Sequence, residues 1–221
     1  MEIRWDWIAE NLDTILLAIW QHLVLTVVPL AIGFVISLGL AIWAVREPRV
    51  YGPITAITGI LYTIPSLAAF ALLVPVFGFS MLVAFIPLTT YTLLILFRNI
   101  VAGFQGVPRE VLEAADGMGY RPRERLLRVE IPLAVPLMIT GVRLAAVTLI
   151  GLATVASILG SSFGGLGQLI TEGLQTFFPT KYVLGGVLSV LLAVTVDLLL
   201  VRVERLVTPW ARTRTDRAVT A

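Results

Sequence analysis

Long runs without formal charge dominate the pattern of this chain. No Asp, Glu, Lys or Arg occurs from Thr14 to Val45, from Val50 to Phe97 or from Leu144 to Thr171, and Tyr182 to Val201 is interrupted only by Asp197. A helix that crosses a bilayer needs ~20 predominantly apolar residues. The run from Val50 is therefore long enough for two helices, with a turn near Gly78. The pattern predicts five spans, at residues 22–45, 54–77, 81–103, 133–159 and 183–203.

Composition narrows the function classes. Of the 221 residues, 58% are hydrophobic and 14% are charged, and the mean hydropathy is +0.95, well above what soluble domains show. Five spans leave no length for a separate soluble catalytic domain. The chain has no cysteine and one histidine, His22, so no disulfide, thiolate chemistry or metal site is expected. An intramembrane enzyme would need paired acids or a suitably placed histidine, and a purely structural scaffold stays as a further alternative.

The basic residues are distributed unequally between the two sides of the five-span arrangement. One side receives only Arg4 and Lys181. Because cytoplasmic loops are enriched in basic residues, the N-terminus is expected outside and the C-terminus in the cytoplasm. We predict an interfacial segment at 1–21 containing Trp5 and Trp7, a single transmembrane domain at 22–203 and a cytoplasmic tail at 204–221. The other side receives Arg46, Arg49, Arg109, Arg121, Arg123, Arg125, Arg128, Arg205, Arg212, Arg214 and Arg217.

The charged loop at residues 104–132 contains residues typical of the starts and ends of two short helices. Pro108 suits a helix start, and acidic residues follow it in the early turns. Gly117 and Gly119 end the first helix, and Pro122 can open a second, amphipathic one. A short helix presented in this way has a shape suited to docking into a groove of a partner protein.

This loop resembles the EAA signature of ATP-binding-cassette (ABC) importer permeases. Glu113-Ala114-Ala115 is followed after three residues by Gly119 and after nine more by Val129-x-Ile131-Pro132. The resemblance extends over roughly residues 20–210. Other phrases are similar to permeases for glycine betaine, choline and related osmoprotectants: Ile64-Pro65-Ser66-Leu67, Arg98-Asn99-Ile100-Val101-Ala102-Gly103, Gly141-Val142-Arg143 and Gly164-Gly165-Leu166-Gly167.

The resemblance implies a fold, a location and a set of partners. It implies the all-α fold of the type I (MetI-like) importer permeases in a bacterial plasma membrane, with a second permease subunit, an external substrate-binding protein and cytoplasmic ABC ATPase subunits that carry ATP and Mg. No cofactor on this chain and no nucleic acid are expected. A phosphate-binding P-loop needs Gly-Lys-Ser/Thr, and the single lysine, Lys181, follows Thr180 instead of glycine. This chain is therefore expected to be a translocation subunit without an ATPase site of its own, and not an enzyme. The ATPase would contact Glu113, Ala114, Ala115, Asp116, Gly117, Met118, Gly119 and Tyr120.

The implied cargo is a quaternary-ammonium osmoprotectant of the glycine betaine, choline, carnitine or proline betaine type. The alternative is another small polar solute, such as methionine or another amino acid, because the EAA loop does not contact cargo. Aromatic faces hold quaternary ammonium groups, although packing or lipid-facing roles are the alternative for each ring. The candidate path or gate comprises Tyr62, Pro65, Ser66, Phe70, Tyr91, Phe163, Gly164 and Gly165.

Some of these positions have two interpretations. Pro65 predicts either a break that lines a pore or an ordinary packed kink. By resemblance, Gly164 and Gly165 belong to an external gate, and a flexible outer loop is the alternative. Asp197 is the one acid inside a span, and Arg143 lies at comparable depth, so we predict a structural ion pair rather than a substrate or proton site. His22 is expected at the outer membrane interface.

Overall fold

Helices account for almost all of the chain that the computed structural model describes, residues 3–157 and 163–211. Short 3-10 turns lie at Pro48–Val50 and Pro209–Ala211, and a π-helical turn, Leu126–Glu130, joins two of the helices. In chain order the helices are α1 (Trp5–Glu10), α2 (Leu12–Arg46), α3 (Tyr51–Thr63), α4 (Ser66–Phe77), α5 (Met81–Gln105), α6 (Arg109–Gly117), α7 (Pro122–Arg125), α8 (Ile131–Ala156), α9 (Leu166–Gln175) and α10 (Pro179–Val207).

Within the described residues, four helical runs are long and apolar enough to cross a membrane. They are α2, α5, α10 and the continuous run Pro122–Ala156 that includes α7 and α8. The pair α3 and α4 passes the same test as one broken span. The predicted all-α membrane protein with about five spans is therefore confirmed.

The ends of several helices differ from the expected spans. The first spanning helix begins at Leu12 instead of residue 22, because Ile15 and Ala18 on its early turns are buried against the rest of the bundle. A helix before it occupies only Trp5–Glu10. That helix is tied to the start of α10, since the Arg4 backbone N–H donates to Thr180 Oγ1 at 3.0 Å.

The second span is not one straight helix across 54–77. The helix ends at Thr63 and resumes at Ser66, and the two parts are bent by 88°. Ile64 has extended backbone (ψ 126°), as the residue before a proline prefers, and Pro65 has no N–H to continue the helix. The bend is much sharper than an ordinary packed kink.

The core lies where α2, α5 and α8 pack together. One cluster contains Ala41, Leu96 and Phe104, and a second contains Leu25, Leu88 and Leu149. Small residues allow these helices to approach closely, as is common in membrane bundles. A Cβ on Gly103 would lie 2.9 Å from the Ala134 carbonyl oxygen, and one on Gly141 would lie 2.6 Å from the Asn99 Cβ.

The two ends of the bundle differ in their polar residues. At one end, Arg46, the last residue of α2, lines a groove together with Arg121, Pro122, Arg123 and Glu124. At the other end, α1 and the start of α10 meet. The folded chain therefore collects several of the arginines of the EAA loop and the end of α2 on one side, as the charge pattern requires.

Candidate functional site

The EAA segment forms α6 and a tight glycine turn. Pro108 precedes the helix with extended backbone (φ −59°, ψ 139°). At the other end, the Tyr120 N–H donates to the Ala115 carbonyl at 3.2 Å and the Gly119 N–H donates to that of Asp116 at 3.0 Å. These two bonds are those of a Schellman motif. Gly119 has φ +83°, which favours glycine.

Exposure divides the segment into an outward and an inward face. Glu113, Ala114 and Met118 are exposed, and Met118 exposes 69% of its surface. Ala115 is only 1% exposed because it packs against its own chain. The expectation that Ala115 lies against a groove of a partner is therefore wrong for that residue, although Ala114 beside it is available. Asp116, Gly117 and Gly119 are also exposed, and Tyr120 is half-buried.

Arg125 holds α6 against the next helix, a role that the sequence did not reveal. Its Nη1 donates to both carboxylate oxygens of Asp116, at 2.8 and 2.6 Å. Its Nε donates to Glu130 Oε1 at 2.9 Å. The eight residues between Asp116 and Arg125 include the glycine turn, so only the folded loop shows this pairing.

The break in the second span brings two candidate tyrosines together. The rings of Tyr62 and Tyr91 meet edge to face, with centroids 5.9 Å apart. The Tyr91 hydroxyl donates to the Ile64 carbonyl at 2.6 Å, a group that the break removes from the helical ladder. Pro65 is exposed and Ser66 is half-buried. A mainly apolar pocket inside the bend is lined by Leu61, Ile64, Ala69, Leu72, Leu73, Ile86, Pro87, Thr90 and Tyr91.

Two other aromatic candidates are covered. Phe70 and Phe163 are 0% and 1% exposed, and both belong to the core cluster that includes Leu25 and Val83. Neither ring offers a face to a solute in this conformation. Of the four predicted aromatic positions, the structure therefore brings only Tyr62 and Tyr91 together at the bend.

The glycines of the predicted gate form a buried turn, which we call the outer turn (Gly164–Leu166). Gly164 and Gly165 have φ of +65° and +85°. The turn is fastened from one side by Ser157, whose hydroxyl donates to the Gly164 carbonyl at 2.7 Å. Gln21 Oε1 accepts the Gly165 N–H at 3.0 Å. Ser161 and Ser162, which precede the turn, lie outside the described residues.

His22 also contacts the outer turn. It is 0% exposed, so it is buried within the protein, and its expected depth near the outer membrane interface stays a prediction. Because α2 begins at Leu12, His22 lies inside that helix instead of at its start.

A second polar link joins α9 to α10. Glu172 accepts hydrogen bonds from Gln168 Nε2 at 2.7 Å and from Lys181 Nζ at 2.9 Å. Burial raises the pKa of Glu172, but the two hydrogen bonds and the charge of Lys181 outweigh it, so the pKa of this carboxyl lies below its ordinary value.

Arg143 and Asp197 are brought together between α8 and α10. Arg143 Nε lies 2.9 Å from Asp197 Oδ1, and Nη2 lies 3.2 Å from Oδ2. Arg143 Nη1 also contacts Glu204 Oε2 at 3.3 Å, a third member that the sequence analysis missed. Glu204 follows Asp197 by seven residues and so lies on the same face of α10. In the described part of the chain, no group of three or more His, Asp and Glu side chains is arranged to hold a metal ion.

Comparison with solved structures identifies the fold. The chain superimposes on a chain of the MetNI methionine ABC transporter in an inward-facing conformation with a TM-score of 0.78, at 24% identity, over 90% of this chain and 98% of that one. It also matches an amino acid ABC transporter with a TM-score of 0.74, at 19% identity, over 93% and 99% of the two chains. The MetI-like fold is confirmed.

Sequence comparison identifies the family. The profile described as "Binding-protein-dependent transport system inner membrane component" matches residues 33–209. The choline transport system permease protein OpuBB of Bacillus subtilis is 34% identical over 92% of this chain and 93% of that protein. The carnitine transport permease protein OpuCB of Listeria monocytogenes is 36% identical over 91% and 92%. With the five-span fold, these matches show that the chain belongs to the inner membrane components of bacterial binding-protein-dependent transport systems and is a multi-pass permease of the ABC importer type.

Proposed function

We propose that this chain is the translocation subunit of an ATP-driven importer for quaternary-ammonium osmoprotectants. The observation that carries the proposal is similarity along nearly the whole chain to permeases named for these solutes. Besides the choline and carnitine permeases, a Bacillus subtilis glycine betaine/carnitine/choline permease, OpuCB, is 35% identical over 86% of this chain. An osmoprotectant import permease, OsmW of Salmonella typhimurium, is 33% identical over 86%.

The energy would come from cytoplasmic ABC ATPase subunits that hold ATP and Mg. The exposed face of α6, with Glu113 and Ala114, and Met118 directly after the helix form the surface that these subunits would contact. Because Arg125 joins Asp116 to Glu130 at the start of the fourth span, a displacement of α6 would pull directly on that span. This connection supports α6 as the coupling helix.

The importer would be completed by a second permease subunit and an external binding protein. Only 6% of the apolar stretch with which α10 could cross the membrane is buried within this chain. A second copy of the chain, or a sister permease, would cover part of this surface, and lipid would cover the rest. The path would run past the break at Pro65, where Tyr62 and Tyr91 meet, and would close at the outer turn.

Reconstituted transport tests the cargo. The chain is purified together with its ATPase and binding-protein partners and placed in proteoliposomes that contain ATP. We expect uptake of radiolabelled choline or glycine betaine, and no uptake without ATP. ATP-dependent uptake of methionine with none of any quaternary ammonium compound would contradict the osmoprotectant assignment and favour the alternative.

Crosslinking tests the coupling helix, and the absence of native cysteines makes it direct. A cysteine at Met118 is expected to crosslink to a cysteine on the ATPase, with a yield that changes when nucleotide is added. A cysteine at Ala115, which is buried in its own chain, is the matched control and should crosslink poorly. Equal yields at both positions, unaffected by nucleotide, would contradict the assignment.

A further inference from the structure

His22 joins three elements at the outer turn end of the bundle. Its Nε2 lies 3.0 Å from the Ile150 carbonyl oxygen on α8. Its Nδ1 accepts the backbone N–H of Leu166, the first residue of α9, at 3.3 Å. His22 itself is on α2 and fully buried. Both ring nitrogens are therefore occupied by backbone groups of other helices.

The two partners determine the proton of the ring. A carbonyl oxygen can only accept a hydrogen bond, so Nε2 must carry the proton. A backbone N–H can only donate one, so Nδ1 must keep its lone pair. Only the neutral imidazole with the proton on Nε2 satisfies both, since an imidazolium has two donors and none of the required acceptor capacity.

The outer turn, which His22 contacts, has a tightly constrained backbone. Gly164 and Gly165 both have left-handed backbone, and a Cβ on Gly164 would collide with the side chain of Gln21. Gln21 accepts the N–H of Gly165, next to the N–H that His22 accepts. Two consecutive backbone donors of the turn are thus satisfied by two consecutive side chains of α2.

We propose that His22, as the neutral tautomer protonated on Nε2, and Gln21 are positioning residues that hold the outer turn against α2 and α8. The turn begins α9, and Leu166 packs in a cluster with Ala18 and Leu169. Losing the link to His22 would therefore release the start of α9 as well as the turn. Its effect on uptake rests on the proposed role of this turn as the external gate, whereas its effect on the turn does not.

Nitrogen NMR tests the tautomer without assignment work. His22 is the one histidine in the chain, so a sample labelled with ¹⁵N-histidine and purified through a tag without histidine contains one imidazole. We expect one protonated ring nitrogen and one unprotonated nitrogen, with the proton on Nε2. A proton on Nδ1, or on both nitrogens, at neutral pH would overturn the proposal.

Hydrogen exchange in variants of His22 distinguishes the contribution of its bond to Leu166 from that of its bond to Ile150. His22→Asn retains an oxygen near the position of Nδ1, and His22→Gln retains a donor near the position of Nε2. If the bond to Leu166 holds the turn, exchange in the peptide covering 163–169 should be near normal in the Asn variant and about fivefold faster in the Gln and Ala variants, as expected for one lost hydrogen bond. Gln21→Leu should accelerate exchange at the same peptide.

Thr26→Val is the matched control, since Thr26 is buried one turn along α2 and its hydroxyl donates within that helix, to the His22 carbonyl at 2.9 Å. Exchange and uptake should be unchanged in this variant. Uptake should rank as the protection of the turn against hydrogen exchange does, with His22→Asn above His22→Gln and His22→Ala. Wild-type protection of the turn in His22→Ala would overturn the proposal; faster exchange with unchanged uptake would retain the link but contradict the role of the turn as a gate.

Discussion

At the scale of single residues, Tyr91 satisfies a backbone group that the proline break releases. The Ile64 carbonyl lies at the end of α3, where Pro65 has no N–H and the chain turns by 88°. The phenol of Tyr91, 27 residues further along the chain, donates to it at 2.6 Å. A polar group left without a partner in an apolar medium costs ~1–3 kcal/mol, so this one bond stabilises the bend.

Removing that hydroxyl should weaken the bend. We expect Tyr91→Phe to lower the free energy of unfolding by ~1–3 kcal/mol, because it leaves the Ile64 carbonyl without its donor. The measurement is denaturant unfolding of the purified protein in detergent. Tyr62→Phe is the control, since the Tyr62 ring is exposed by 40% and only its edge contact with Tyr91 is described. Equal losses in the two variants would contradict the role of the hydroxyl.

Arg143 is the central member of a charged group between α8 and α10. The side chains of Arg143, Asp197 and Glu204 are 29%, 34% and 27% exposed in the isolated chain. Charges at membrane depth are costly unless they are paired. One cation here faces two carboxylates, so the loss of Arg143 leaves more unpaired charge than the loss of either acid.

We therefore expect Arg143→Gln to reduce the amount of folded protein more than Asp197→Asn does, because the latter leaves the contact of Arg143 with Glu204. The double variant should lose less than the sum, with an interaction energy of about 1 kcal/mol in a double-mutant cycle. Thr195→Val on the same helix, whose hydroxyl bonds the Leu191 carbonyl, should have no effect. Additive losses would argue against the pair, and normal folding with altered ion or pH dependence of uptake would favour a transport role.

At the scale of elements, the turn after α6 fixes the shape of the proposed coupling helix. Gly119 adopts φ +83°, and beyond its two chain neighbours no residue has an atom within 4 Å of the position that a Cβ would take. A side chain there would therefore meet backbone strain and no collision. The left-handed conformation costs an L-residue ~1–2 kcal/mol, and a β-branched residue tolerates it least.

Gly119→Ala should lower uptake, and Gly119→Val should lower it further or abolish it, in protein that still inserts normally. The end of α6 would shift and weaken the docking of the ATPase, which a pull-down with the purified ATPase measures. Gly117→Ala provides the control, because Gly117 is helical and its Cβ position is also open. Full uptake with Gly119→Val would contradict the coupling role.

At the scale of the whole molecule, the distribution of arginines predicts the orientation in the membrane, with the N-terminus outside and the C-terminus in the cytoplasm. The structure refines the positions at which it can be tested. Ser80 is a poor probe because its hydroxyl oxygen is buried, whereas Phe79 beside it is 60% exposed. Thr176 and Arg123 are also exposed and lie after α9 and in α7.

Single cysteines at Phe79 and Thr176 should react with an impermeant thiol reagent added to intact cells, and a cysteine at Arg123 should react only after the cells are opened. The cysteine-free wild-type chain supplies the blank. The opposite pattern would reverse the orientation and place α6 outside, where no cytoplasmic ATPase could contact it.

The fold was largely predictable because the bilayer imposes one simple requirement, a long apolar run for each span. Uncharged runs between charged residues located the four long apolar helical runs and the bent pair, and the EAA spacing identified the family. Boundaries were less predictable. Leu12 to Gln21 continues the first long helix, since apolarity alone does not distinguish a separate interfacial helix from the extension of a buried one. Pro65 marked where the second span breaks, but the 88° angle of the break depends on how α4 packs against α5 and could not be predicted from the sequence.

What the sequence determined by itself is the membrane class, the number of spans and the glycine turn of the EAA loop, because each follows from local composition or from the backbone preference of one residue. Contacts between separate elements were decided only by the tertiary structure. Ala115 faces inward, Arg125 bonds Asp116 across the glycine turn, and His22 bonds Ile150 and Leu166. The physical reason is that hydrogen bonding and burial depend on which helix faces meet, and that meeting leaves no local signal in the sequence, least of all for His22 and Ile150, which lie 128 positions apart.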